Sequence, residues 1–183
     1  MPSSVGSLDT SFFTQTVITP SWNGIPTVRH IVVQPDGRVL IGGGFDQVQH
    51  NLRHGLARLQ ADGTLDRSFI PAVDCTEDLL LEPNGKIVLA GSCRGLTRLN
   101  PDGTLDASFD GQVQGGATAV ARLPGGEFLA SIPLEAESGT STLSYTVALF
   151  DAQGVLSSRW STQYRSTTPL SYILVAPGAG RAV

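Results

Sequence analysis

Asn100-Pro101-Asp102-Gly103-Thr104-Leu105-Asp106-Ala107-Ser108-Phe109 decides the fold, because the chain repeats it. Residues 61–69 read ADGTLDRSF, residues 6–12 read GSLDTSF, and residues 152–160 read AQGVLSSRW, a worn copy. Their leucines, Leu8, Leu65, Leu105 and Leu156, recur at intervals of roughly 40 to 57 residues. Self-similarity on that scale marks a repeat architecture.

A second signal alternates with the first. Ile31-Val32-Val33, Pro35-Asp36-Gly37 and Val39-Leu40-Ile41 return as Leu79-Leu80-Leu81, Pro83-Asn84-Gly85 and Ile87-Val88-Leu89, and again as Val120-Ala121-Arg122, Pro124-Gly125-Gly126 and Phe128-Leu129-Ala130. An apolar run, a turn that needs a positive φ and a second apolar run make a β-hairpin. Asp62-Gly63 and Asp102-Gly103 supply a second hairpin in each repeat. One unit therefore holds two hairpins, or strands a, b, c and d. The strands are apolar on both sides, as befits a sheet covered on both faces. Four-stranded blades stacked about an axis provide such cover. The predicted fold class is all-β: one β-propeller domain, or a fragment of one, over 1–183. About three four-stranded blades span residues 27–69, 73–109 and 117–160. A lone outer strand at 6–12 and a partial blade at 168–183 leave the ring incomplete or open. Three blades fall short of the ~4–8 of a closed propeller. The expectation is therefore the N-terminal part of a longer protein, closed by further blades of the same chain or by self-association.

PDGRVLIGG with ARLQADGTLDRSF, then PNGKIVLAG with TRLNPDGTLDASF, resembles the bacterial delta-60 repeat, a tandem β-propeller family. The third unit departs from it at Ser157, Arg159 and Trp160. The resemblance implies the propeller fold and a cell-surface or extracellular setting, and it brings no defined activity. The first residues, Met1-Pro2-Ser3-Ser4, do not read as a secretory signal. No apolar run approaches the ~20 residues of a membrane helix. A net charge of −4 argues against a nucleic-acid partner.

No nucleophile–base signature, phosphate loop or metal-ligand spacing is present, so no catalytic residue, metal or cofactor is predicted. The repeated carboxylates read as structure. Arg58 with Asp66 and Arg98 with Asp106 fall opposite each other across strands c and d, and in the third unit both partners change together, to Leu149 and Ser157. His50 and His54 lack the glutamate of a zinc helix, and their segment reads as a solvated loop. Cys75 and Cys93, counted outward from the Pro83-Asn84-Gly85 turn, fall opposite one another on strands a and b. That suits either a disulfide in an oxidising compartment or a reduced pair in the cytoplasm.

Two surfaces are candidates for binding. Arg29-His30, Glu77-Asp78, Thr118-Ala119 and Ser171-Tyr172 align at the start of the innermost strands. Arg29, His30, Glu77 and Asp78 are read either as inter-blade pairs or as a polar ligand site at the channel mouth. The short turns all lie on one face, and the long, varied d–a and b–c connections lie on the other. Recognition concentrates on such loops. Trp22, Arg53, Trp160 and Tyr164 are the candidate contacts there for an unknown protein or glycan.

Overall fold

The computed structural model describes residues 18–19, 25–73, 75–91, 95–113, 115–134, 144–160 and 173. The predicted strand at 6–12, the partial blade at 168–183, and Trp22, Cys93, Tyr164, Ser171 and Tyr172 lie outside the described residues. Among those described, every regular element is a β-strand. β1 (Ile18–Thr19) comes first, followed by β2 (Thr27–Val33), β3 (Val39–Gly44), β4 (Gln47–Val48), β5 (Asn51–Leu52) and β6 (Leu56–Leu59). β7 (Asp78–Leu81), β8 (Ile87–Gly91) and β9 (Gly95–Leu99) form the second unit. β10 (Ala119–Arg122), β11 (Phe128–Leu134), β12 (Ser144–Phe150) and β13 (Leu156–Trp160) form the third. The three main sheets run β2-β3-β6, β7-β8-β9 and β10-β11-β12-β13, all antiparallel meanders.

The six repeat turns among the described residues close the same way. In the first, Gln34 N donates to Arg38 O and Gly37 N donates to Gln34 O, with Gly37 at φ +84°. The same two bonds recur around Gly63, Gly85, Gly103, Gly126 and Gly154, each with positive φ. This is a three-residue hairpin loop whose last residue must be left-handed, which is why glycine returns there. The Asp or Asn before the glycine adds a bond to the second residue beyond it: Asp36 Oδ1, Asp62 Oδ1, Asn84 Oδ1 and Asp102 Oδ1 each accept a backbone N–H.

The outer strand d differs from expectation in the first two units. It shrinks to a single bridge, Leu59 to Leu65 and Leu99 to Leu105. Asp66 Oδ1 accepts both the backbone N–H and the hydroxyl of Ser68, and Phe69 N donates to Asp66 O. Asp106 treats Ser108 and Phe109 identically. The Asp-x-Ser motif thus turns the chain inward instead of extending it. Ser157 replaces that aspartate in the worn copy, and among the described residues only there does strand d run regularly, as β13.

The core lies between blades. Leu40, Leu56 and Phe69 of the first unit pack with Leu79, Ile87, Leu89 and Leu99 of the second. Val88, Ala90 and Leu96 on the second unit's other face pack with Val120, Phe128, Ala130, Ile132 and Phe150 of the third. The first unit's outward face, including Ile41, Ala57, Leu59 and Leu65, is covered by Ile18, Phe45 and Val48. There β1 pairs with β4, and β4 pairs with β5, so the connection read as a solvated loop carries a small hairpin. Its turn residues Gln49 and His50 have φ of 49° and 62° without being glycine. The Gln49 side-chain amide donates to Gly63 O and accepts from Leu65 N, standing in for a neighbouring strand. Leu65 is therefore buried, whereas its repeat equivalent Leu105 is 45% exposed.

Equivalent positions in β2 and β7 fare differently. Ile31 is 67% exposed, while Leu79, at the same place in the next repeat, is 6% exposed against the first blade. Ile31→Ala should change unfolding free energy by under ~0.5 kcal/mol. Leu79→Ala should cost about 3 kcal/mol. Urea denaturation of the two variants checks the inter-blade packing, and equal losses would contradict it.

Candidate functional site

β2, β7 and β10 are the innermost strands, and Asp78 ties all three together. Its Oδ1 accepts the backbone N–H of Leu79 at 2.7 Å and lies 3.1 Å from His30 Nδ1, and its Oδ2 accepts Val120 N at 2.9 Å. Asp78 is buried, and that burial raises its pKa, against the opposing pull of the Val120 N–H and the His30 charge. One turn of the pleat away, Arg29 pairs with Glu77 across the same seam. The four mouth residues therefore come together as two cross-blade pairs, Arg29 with Glu77 and His30 with Asp78.

Arg29 owes its direction to an irregularity. Val28 pairs with Gly43 and His30 pairs with Gly42, so Arg29 is the extra residue of a β-bulge. Gly43 has no room for a side chain there, since a Cβ would lie 2.2 Å from Thr27 O. The bulge delivers Arg29 to a cleft of about 690 Å³ at the seam of the first two blades, on the face of the long connections. Arg29, Gly43, Gly44, Phe45, Asp46, His54, Gly55, Cys75, Thr76 and Glu77 line it. His30 and Asp78 do not.

Three polar groups in this cleft are not among the predicted contacts, and one of them, His54, belongs to the segment read as a solvated loop. His54 Nδ1 lies 3.1 Å from Asp46 Oδ1, and the two residues are the ends of the connection that holds the β4–β5 hairpin. That hairpin brings them together: Arg53 N donates to Asp46 O and Gly55 N donates to Phe45 O. Thr76 is 3% exposed, and its hydroxyl has no protein partner. Gly55 permits this approach, because a Cβ there would lie 3.2 Å from Thr76 N and 3.5 Å from Thr76 Oγ1. The available signals were that Asp46 and His54 bracket a long connection and that Thr76 directly precedes Glu77.

The repeated acids are held by cations. Arg58 Nε donates to Asp66 Oδ2 at 2.8 Å, stacks 4.3 Å over the Phe69 ring, and reaches Pro101 O of the next blade at 2.7 Å. Arg98 repeats all three contacts with Asp106, Phe109 and Ala152 O. Burial pushes the Asp66 carboxyl up, but hydrogen bonds from Ser68 and Arg58 outweigh it and leave the pKa lowered. The Lys86 ammonium, then the Ser108 hydroxyl, hold Asp106 well below the usual carboxylate range.

Of the predicted partner contacts, Arg53 is buried, with its guanidinium on the carbonyls of Leu52 and Arg67. It is thus turned into the protein. Trp160 ends β13, where its backbone pairs with Val147. Cys75 carries no free thiol and sits beside Gly91 at the cleft rim.

No curated protein matches this chain. Residues 34–69 and 82–109 match the family described as a domain of unknown function (DUF5122) beta-propeller. Each matched stretch runs from the first turn of a repeat to the phenylalanine that closes it. Successive antiparallel sheets, packed face to face around their innermost strands, and this match together make the chain a β-propeller repeat protein.

Proposed function

We propose that the chain is a non-catalytic scaffold that binds a protein or a glycan through the face of the long connections. The observation that carries this reading is the fate of the repeated charged residues. Arg58, Asp66, Arg98 and Asp106 are all engaged in holding one blade to the next. The long, varied connections lie on the opposite face, where Ile25 is 89% and Leu52 is 63% exposed. Exposed apolar side chains on variable loops suit recognition better than turnover. The resemblance to delta-60 repeats favours an extracellular or surface setting, and a Cys75–Cys93 disulfide would persist there.

The pair Ile25→Ser and Leu52→Ser separates binding from folding. Capture of partners by an immobilised chain, on a glycan array and from culture supernatant, should fall in this double variant with little change in melting temperature. Val155→Ser, at a 49% exposed position on the short-turn face, should leave capture intact. Equal capture by all three proteins would contradict the proposal, as would steady turnover of ester or glycoside substrates by the wild type.

A further inference from the structure

From the cleft between the first two blades we infer a binding site for a neutral, hydroxyl-rich ligand, a saccharide unit either free or at the end of a glycan. This deepens the reading of the long-connection face and rests on it only for the face. At about 690 Å³ the cleft falls within the ~300–1,000 Å³ usual for small-molecule sites. Its ionisable groups are already engaged: Arg29 pairs with Glu77, and His54 Nδ1 lies 3.1 Å from Asp46 Oδ1. A charged ligand has to break one of those pairs to gain a partner. A hydroxyl does not. A guanidinium has five N–H donors and a carboxylate about four lone-pair sites, so each pair keeps unused capacity on its open side. Donors and acceptors are therefore both present on the wall, which is what groups that both donate and accept require.

The second observation is Thr76. Its hydroxyl is buried in the lining without a protein partner, and such groups are ordinarily satisfied. Its methyl lies toward Gly42 of the first blade, where a Cβ would come within 3.0 Å, and its hydroxyl lies toward Gly55. The side chain is thereby held at the seam with one donor and acceptor unused. A ligand hydroxyl supplies what it lacks.

Thr76→Val keeps the branched shape and replaces only the hydroxyl, by a methyl group, so it reads out the inference with two opposite signs. If the hydroxyl serves a ligand, the variant unfolds at a higher denaturant concentration than wild type and binds about tenfold more weakly. Thr76→Ser, which retains the hydroxyl, should restore binding. The probes are maltose, cellobiose and N-acetylglucosamine, with inorganic phosphate and glycine betaine as charged comparators, all measured by saturation-transfer NMR on the full chain. Binding of a neutral sugar that is weakened by Thr76→Val and kept by Thr76→Ser supports the site. Binding of only phosphate or betaine overturns the ligand class, and binding of none of the probes overturns the inference. Glycan capture lost in the Ile25→Ser, Leu52→Ser variant but unaltered by Thr76→Val overturns the cleft assignment while leaving the broader face reading standing.

Discussion

Gly154→Ala is expected to lower unfolding free energy by about 3 kcal/mol, adding the left-handed backbone cost to an overpacked contact. Gly154 has φ +82°, and a Cβ there would lie 2.7–2.8 Å from three atoms of the Phe109 ring. Phe109 belongs to the preceding blade, so the clash falls on the joint between two units. Gly37→Ala is the comparison. Gly37 has nearly the same φ, +84°, but the nearest atom to its Cβ would be that of Ala61 at 3.6 Å. It should lose only the backbone share, about 1–2 kcal/mol. Chemical denaturation of the two variants side by side isolates the contact. Equal losses would show that the glycine is there for the turn alone.

The second large effect is expected at Arg58. Arg58→Met should cost about 3 kcal/mol, because it removes the directly bonded guanidinium from the buried Asp66 carboxylate and leaves more weakly placed cations, such as Arg38 at 3.6 Å, to balance it. The same change deletes the bond to Pro101 O and the stacking on Phe69. Acid titration gives an independent check. Asp66 and Asp106 have folded pKa values below the unfolded 3.8. The stability they contribute is therefore fully present above pH ~4 and disappears as pH falls through their lowered values. Asp78 acts in the opposite sense: its pKa is raised, so its contribution is present below 3.8 and is lost as pH rises through the folded value. Asp106→Asn should flatten the acid limb of the stability curve, and Asp78→Asn should not. An acid limb unchanged by Asp106→Asn would remove the carboxylate clamp from the account.

Much of this was readable from local chemistry. Asp-Gly and Asn-Gly dipeptides dictate their own turn, and the four described turns that carry one form as their residues require. Arg58 and Asp66 were placed opposite each other by counting, and the structure pairs them. What the count missed was competition between side chain and backbone. The aspartate that defines the repeat takes the Ser68 N–H for itself, so the sharpest copies of the motif have the shortest outer strand. Periodicity also has no means of announcing a bulge. Arg29 reaches the cleft, while His30 turns to Asp78, because the register slips between Val28 and His30 and leaves Arg29 as the extra residue. The cleft itself depends on a hairpin whose turn is Gln49-His50, a pair that carries none of the usual signals for positive φ.

The phenylalanine that closes one repeat rests on the turn glycine of the next, Phe69 on Gly103 and Phe109 on Gly154. Donor and receiver are unlike surfaces, so the contact is heterologous and has a direction. A row of such units possesses a head and a tail, as a filament does. Reversing one unit would set phenylalanine against phenylalanine at one boundary and leave two bare glycines at the other. Order along the chain and order in space are thereby locked to a single sense of travel.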